Sequence, residues 1–422
     1  MAQSYATSGP ISKLDQDSLE TFFLLNADIF DDADALKNTI RASHVCAAWR
    51  HLLLQRPVVW GRLIDLHELT KSGSYLWLAE ILRRSGDVFL WVRSEIRTNN
   101  RVLRILVDII NRSWPRIQRL SFVILDILFF TYRHIWEQFA LPAPYLQHFK
   151  VVIDTGYPTG GSYELARELD GWPKEELFAG YAPHLQIFRA SRYRFNFSAS
   201  WLAGLRQIRL GKPFNVEDPL LLLQNTPALV SLHVDSICVL ECHRALPRVR
   251  LSALYEFYLG GIDPHSCTTI LENIDTPSDC GLSLIMSFGR GDRASKAFCN
   301  LISSFTRRYL EHYQARSFQI EYSEETFFFL VYNPSSQAFL EIEFYSLSML
   351  PYLDYLEGVA AGLSIFCKLH NAHGKDYILG YKCGSGGLPS SLLHLAMAGD
   401  ADEIEKHDAR DKILKTSRRR AH

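Results

Sequence analysis

The chain has 422 residues, 47% of them hydrophobic and 22% charged, with a formal net charge of −1. That length exceeds one ordinary compact core and implies two domains or an extended repeat array, and the apolar content excludes a disordered chain. A near-neutral balance gives no global field for nucleic acid or an anionic membrane, so neither is expected as a partner.

Residues 1–12 read as a loose polar tail without the apolar centre of a signal peptide, so secretion is not expected. No apolar run reaches bilayer-spanning length. Eight cysteines without regular close spacing fit reduced thiols, which predicts a cytoplasmic or nuclear location. The basic C-terminal "TSRRRAH" reads first as a solubilising end, with a nuclear import signal as the second reading.

Residues 13–66 carry a helical pattern: Leu19, Phe22 and Phe23, then Leu36 and Ile40, then Val45, Cys46, Trp49, Leu52 and Leu53 recur at spacings of three and four. Asp15, Asp17, Glu20, Asp28, Asp31, Asp32 and Asp34 lie among them and read mainly as a solvated acidic face. Pro57 ends the pattern.

From residue 67 helix and strand alternate. "SYLWLAEILRRSG" is an amphipathic helix closed by Gly86, "DVFLWVRS" alternates as a strand, "RVLRILVDIINRSW" is helical and "PRIQRLSFVI" extended. Six segments share an apolar residue, another three later and a third two beyond. They are Ile117/Leu120/Phe122, Leu146/Phe149/Val151, Leu185/Phe188/Ala190, Leu205/Ile208/Leu210, Leu229/Leu232/Val234 and Leu254/Phe257/Leu259. Pro115, Pro144, Pro183 and Pro227 precede four of them by two residues, and the intervals run 29, 39, 20, 24 and 25. A seventh copy at Leu282/Ile285/Ser287 is weak. The pattern resembles a leucine-rich repeat, in which each unit turns into a strand and stacking closes a continuous core. The expected fold is therefore α/β: a helical N-terminus, then a leucine-rich-repeat-like solenoid over 67–385 with a curved parallel sheet. It turns irregular after about 290, where a hairpin is expected around Asn333-Pro334, and residues 386–422 form a charged tail.

Site chemistry is sparse. "TGYPTGG" and "CGSGG" lack the features of phosphate loops or a nucleophile elbow and read as turns. Cys238, Cys242 and His243 are close in sequence, with Cys267 and Cys280 as imaginable partners, but the paired spacing of a zinc site is missing. His370, His373 and Asp376 form a loose triplet, and the "RGD" at 290–292 is incidental. No acid–base pair emerges, so no catalytic residue, metal or cofactor is expected, and an open array favours binding over enzymatic activity.

"LDQDSLETFF" followed by "SHVCAAWRHLLLQRPVVW" resembles an F-box of the large fungal family: Leu14, Asp17, Leu19, Phe22 and Phe23, then Ser43, Val45, Cys46, Trp49 and Arg50, then Pro57 and Trp60. Asp15 replaces the family's usual Pro, and Asp17 and Ser18 its Glu and Leu. The resemblance implies docking to a Skp-type adaptor and through it a cullin-based ubiquitin ligase, with the repeats binding an unknown protein substrate. It implies adaptor contact for Leu14, Leu19, Phe22, Phe23, Val45, Cys46 and Pro57, and places Trp49 and Trp60 in the F-box core. The alternative is a leucine-rich-repeat scaffold with a vestigial F-box.

Overall fold

A computed structural model of the chain describes residues 14–71, 75–96, 100–125, 135–154, 176–190, 195–211, 214–235, 246–288, 295–313, 317–322, 326–332, 339–346 and 378–383. It divides into two compact units, residues 1–208 and 209–422.

The first unit opens with four helices: α1 (Gln16–Asn26), α2 (Ala35–Ala42), α3 (Ala47–Leu54) and α4 (Pro57–Gly61). Three of the four starts have a local chemical cause. Asp15 accepts the amide hydrogen of Ser18 at 2.7 Å and caps α1, the Cys46 sulfur accepts from the Trp49 amide at the start of α3, and Pro57 occupies the first turn of α4. β1 (Ile64–Asp65), α5 (Leu66–Thr70) and α6 (Leu76–Ser85) follow, and Gly86 closes α6 at φ 49°. The remaining elements are β2 (Leu90–Ile96), α7 (Asn100–Ser113), β3 (Ile117–Leu125), α8 (Ile135–Phe139), β4 (His148–Asp154) and β5 (Ile187–Ala190).

β1 to β5 are parallel neighbours. Val92, Leu120, Phe149 and Phe188 align across four strands and are all buried. Because side chains alternate along a strand, the intervening positions (Arg93, Arg119, Lys150 and Arg189) line the opposite, polar face. A tight turn at Leu177–Gly180 holds Phe178 and Ala179 at φ 59° and 48°. The Phe178 ring anchors it, fully buried against Phe149 at 5.2 Å and Trp201 at 5.6 Å.

The boundary between the units falls within β6 (Gln207–Leu210). The second unit then contains α9 (Glu217–Leu223), β7 (Ser231–Asp235), β8 (Val249–Arg250), β9 (Glu256–Gly260), α10 (Pro264–Asn273), β10 (Ile274–Asp275), β11 (Gly281–Phe288), α11 (Lys296–Tyr313), β12 (Ser317–Tyr322), β13 (Thr326–Tyr332), β14 (Phe339–Ser346) and β15 (Ile378–Cys383). Its sheet order is β7-β9-β11-β14-β13-β12-β15. β14 is parallel to β11 but antiparallel to β13, and β13 is antiparallel to β12. β8 and β10 form a separate parallel pair.

This topology corrects the expected leucine-rich-repeat-like solenoid with a curved parallel sheet. The strand order departs from chain order, antiparallel pairs sit beside parallel ones, and the architecture is mixed α/β. The physical reason lies in what the motif encodes. An LxxLxL spacing specifies a turn feeding a strand with alternating inward residues, and leaves open which strand becomes the neighbour. The weak seventh copy shows this. β11 pairs on both sides, with β9 and β14, and buries Leu282, Leu284 and Met286. Ile285 and Ser287 therefore belong to the other alternation, one residue out of phase with the spacing that singled them out. Asn333-Pro334, the Gly-rich "TGYPTGG" and the charged tail lie outside the described residues.

Candidate protein-docking surface

α1 buries one stripe and exposes another. Phe23 and Ala27, four apart, are 3% and 0% exposed. Phe22 and Leu25, three apart on the outward side, are 47% and 74% exposed. Successive helical positions differ by about 100°, so Phe22 and Phe23 cannot both face inward. Trp49 on α3 bridges the two, its ring 5.1 Å from Phe23 edge to face and 6.2 Å from Phe22. Trp49 is half-buried, and Val45 and Cys46, in the connection leading into α3, are exposed. The Phe22–Trp49 contact thus makes an apolar strip across two helices, with exposed Leu25 three residues on from Phe22 and exposed Val45 and Cys46 just before α3. Such a strip costs solvation in an isolated soluble protein and marks surfaces that meet a partner.

Trp60 belongs to the interior. It is 1% exposed, its indole nitrogen donates to the Leu53 carbonyl at 2.8 Å, and the Arg84 guanidinium sits 4.5 Å over its ring. Gly61 beside it admits no side chain, because a Cβ there would stand 2.5 Å from the Phe89 carbonyl oxygen.

The segment between α1 and α2 fastens the helices to the polar face of the sheet. The Asp28 carboxylate pairs with Arg119 at 3.2 Å, and Arg93 donates to the Ile29 carbonyl while gripping Asp65 at 2.5 Å. Trp91 lies between two guanidinium groups, Arg119 at 4.0 Å and Arg62 at 4.4 Å. The Phe30 ring packs at a tilt against His148, 4.9 Å between centroids. Burial, with Arg119 and Lys150 nearby, pulls the His148 pKa down to about 3, so the ring is neutral near neutral pH.

The positions singled out from the sequence therefore fall into three groups. Leu14, Phe22, Val45, Cys46 and Pro57 are exposed, and Leu19 is half-buried. Phe23, expected at a contact surface, is buried, whereas Trp49, expected in a core, keeps part of its ring in solvent. α1 packs inward through Phe23 and Ala27, and this leaves Phe22 outward beside Trp49. Trp60 is buried. Leu25, Asp28, Phe30, Arg62, Trp91, Arg93 and Arg119 were not distinguished by sequence. Asp28 was grouped with a solvated acidic face, yet only 16% of its side chain is exposed.

Among the described residues, no group of three or more His, Cys, Asp or Glu side chains is arranged to hold a metal ion. Cys267 and Cys280 are free and buried; burial raises both thiol pKa values, that of Cys280 to about 12. Cys238, Cys242, His243, His370, His373 and Asp376 lie outside the described residues. No described helix is long and apolar enough to cross a membrane.

Comparison with protein-family models, with curated proteins and with solved structures finds no match to this chain. The mixed α/β topology, with its non-sequential strand order, overturns the resemblance to an F-box protein with a leucine-rich-repeat region. The Val-Cys-x-x-Trp-Arg and Pro-x-x-Trp spacings have local causes instead: Cys46 caps α3, Pro57 starts α4, and Trp60 packs inward and bonds to Leu53.

Proposed function

We propose that this protein is a non-catalytic binding scaffold whose N-terminal helices dock another polypeptide. The observation that carries the reading is the strip at the Phe22–Trp49 contact, with Leu25, Cys46 and Val45 exposed close by in sequence. Six exposed large hydrophobic residues (Leu14, Phe22, Leu25, Val45, Leu54 and Val58) fall within this short helical segment. Its helices rest on a sheet whose opposite face is packed with Val92, Leu120, Phe149 and Phe188, a rigid support for a contact surface. Perturbed titratable groups in the first unit also have structural explanations: His148 is held neutral by burial beside Arg119 and Lys150, and Glu80 is drawn down to about 2 by its hydrogen bonds to Arg83 and Arg84. Among the described residues Cys46, Cys267, Cys280 and Cys299 are free thiols, which supports a cytoplasmic or nuclear setting.

Affinity capture on wild-type chain and on a Leu25→Ser/Val45→Ser variant tests the reading. A captured protein is then purified and its binding to each chain is measured directly. The reading requires one-to-one binding to the wild type, weakened at least about tenfold in the variant, the scale of losing an apolar anchor. Equal binding by both chains overturns it. A wild-type chain that self-associates through these residues, seen by sedimentation, would reassign the strip to a second copy.

A further inference from the structure

Resting on the docking role proposed above, we infer that the segment received by the N-terminal helices is an amphipathic helix edged with carboxylates, and that Arg50, with Arg41, selects it.

Between Asp34 and Asp65 the sequence has no Asp or Glu, while Lys37, Arg41, Arg50, Arg56 and Arg62 supply positive charge. Three of these are committed within the chain. Lys37 pairs with Asp34 and Glu68, Arg56 with Glu20, and Arg62 donates to the Leu24 carbonyl and sits over the Trp91 ring. Arg41 and Arg50 are exposed, and among the described residues neither is bonded to a carboxylate. Arg41 reaches the Asn38 side chain at 3.5 Å. The Arg50 Nε donates to the Ser43 carbonyl at 3.0 Å, so its guanidinium lies at the connection between α2 and α3. That connection is tight: the His44 amide donates to the Arg41 carbonyl at 2.9 Å, and the Val45 amide to Ala42 at 3.2 Å. It carries His44, Val45 and Cys46, all exposed. Unpaired positive charge and exposed apolar side chains therefore share one short stretch of surface.

The shape of α3 fits a facing helix. Leu52 and Leu53 are buried, so Ala47, His51 and Leu54, spaced four and three apart, form its outward ridge, and all three are exposed. The ridge is about 10 Å long, two turns of a partner helix, and the small Ala47 side chain permits a close approach. Anchors at such spacing are the mark of a helix laid along a helical surface. Its apolar stripe covers the exposed apolar residues, and carboxylates at its edge reach the guanidinium groups. Arginine–carboxylate bonds are directional, so they set register and partner choice. A flat anionic surface fits poorly. Asp15 and Asp17 on α1 are exposed and would repel it, and two unpaired arginines fall short of the roughly four to eight basic residues that hold anionic lipid. Carboxylates placed singly on a helix edge avoid those aspartates.

The test selects a phage-displayed library of amphipathic helices, randomised at their polar positions, on purified full-length protein and in parallel on Arg41→Glu/Arg50→Glu. The dominant wild-type peptide is synthesised and its binding followed by fluorescence anisotropy. It should be rich in Glu and Asp and bind the wild type saturably. Its affinity should fall about tenfold or more on the charge-reversed chain, and less on Arg41→Gln/Arg50→Gln. The charge-reversed chain should itself enrich basic peptides. Both positions are exposed, so unfolding curves should match the wild type. Neutral or basic peptides on the wild type, equal binding by wild-type and charge-reversed chains, or no selected peptide overturns the inference. So does saturable binding of the wild type to phosphatidylserine–phosphatidylcholine vesicles that the charge reversal abolishes, because the arginines would then serve a lipid surface. Leu25→Ser/Val45→Ser separates this result from the reading beneath it. A peptide that loses binding there but ignores charge reversal keeps the docking surface and removes only its selection for carboxylates. A peptide that ignores Leu25→Ser/Val45→Ser removes the docking surface, and the inference with it.

Discussion

The Phe23 ring meets the Trp49 ring edge to face, 5.1 Å between centroids and 81° between planes, with Phe23 buried and Trp49 half in solvent. The pair separates the inside of the N-terminal helices from their outside. Phe23 holds α1 against α3, and Phe22, its neighbour in sequence, is left on the surface.

Stability should follow that division. Phe23→Ala removes a buried aromatic and should cost about 3–5 kcal/mol. Phe22→Ala changes an exposed position and should stay within about 0.5 kcal/mol. Trp49→Ala should fall between them, at about 1–2 kcal/mol, because only part of the ring is buried. Urea unfolding of the three variants checks the order, and an equal loss for Phe22 and Phe23 would show that the rotation of α1 is wrong.

Ala179 offers a test of backbone strain. It is exposed, so its side chain contributes little packing, yet it sits at φ 48° in a turn held by the buried Phe178. Left-handed backbone disfavours any residue with a Cβ. Ala179→Gly should therefore raise stability by about 0.5–1 kcal/mol, less the extra freedom glycine gives the unfolded chain. A calorimetric Tm that falls clearly on this substitution contradicts the turn geometry.

His148 sets a pH dependence whose sign can be worked out. Its pKa is about 3 in the folded chain against 6.5 when unperturbed. Above pH 6.5 the ring is neutral in both states and the burial is fully stabilising. As pH falls below 6.5 the unfolded chain takes up the proton first, so stability is lost progressively towards pH 3. Between pH 7.5 and 5 this amounts to about 2 kcal/mol. His148→Gln should flatten that part of the stability–pH curve, and an unchanged slope would mean the ring is not held between Arg119 and Lys150 as described.

Local structure was more legible in the sequence than topology. The alternation around Leu120, Phe149, Phe188 and Phe257 reads directly as strands with inward apolar residues, because a period of two has one physical cause. Gly86 and Pro57 mark helix boundaries for equally local reasons. The pairing of β14 between β11 and β13 was not legible, since contacts distant in sequence leave no trace in spacing. Nor was the inside of α1. With Phe22 and Phe23 adjacent, either could have turned inward, and only the packing of Phe23 and Ala27 against the other helices decides it. The polar row was invisible for a third reason: Arg93, Arg119, Lys150 and Arg189 are far apart along the chain and meet only through strand register.

The most direct test of the docking surface is site-specific photo-crosslinking. A benzoylphenylalanine placed at Leu25, which is 74% exposed, should give one discrete protein adduct in the cells that express the chain. The adduct should disappear when Val45→Ser is added, and the same probe at the exposed Arg83 on α6 should not yield it. If Leu25 gives no discrete adduct, or the same products as Arg83, the apolar strip is not a docking surface.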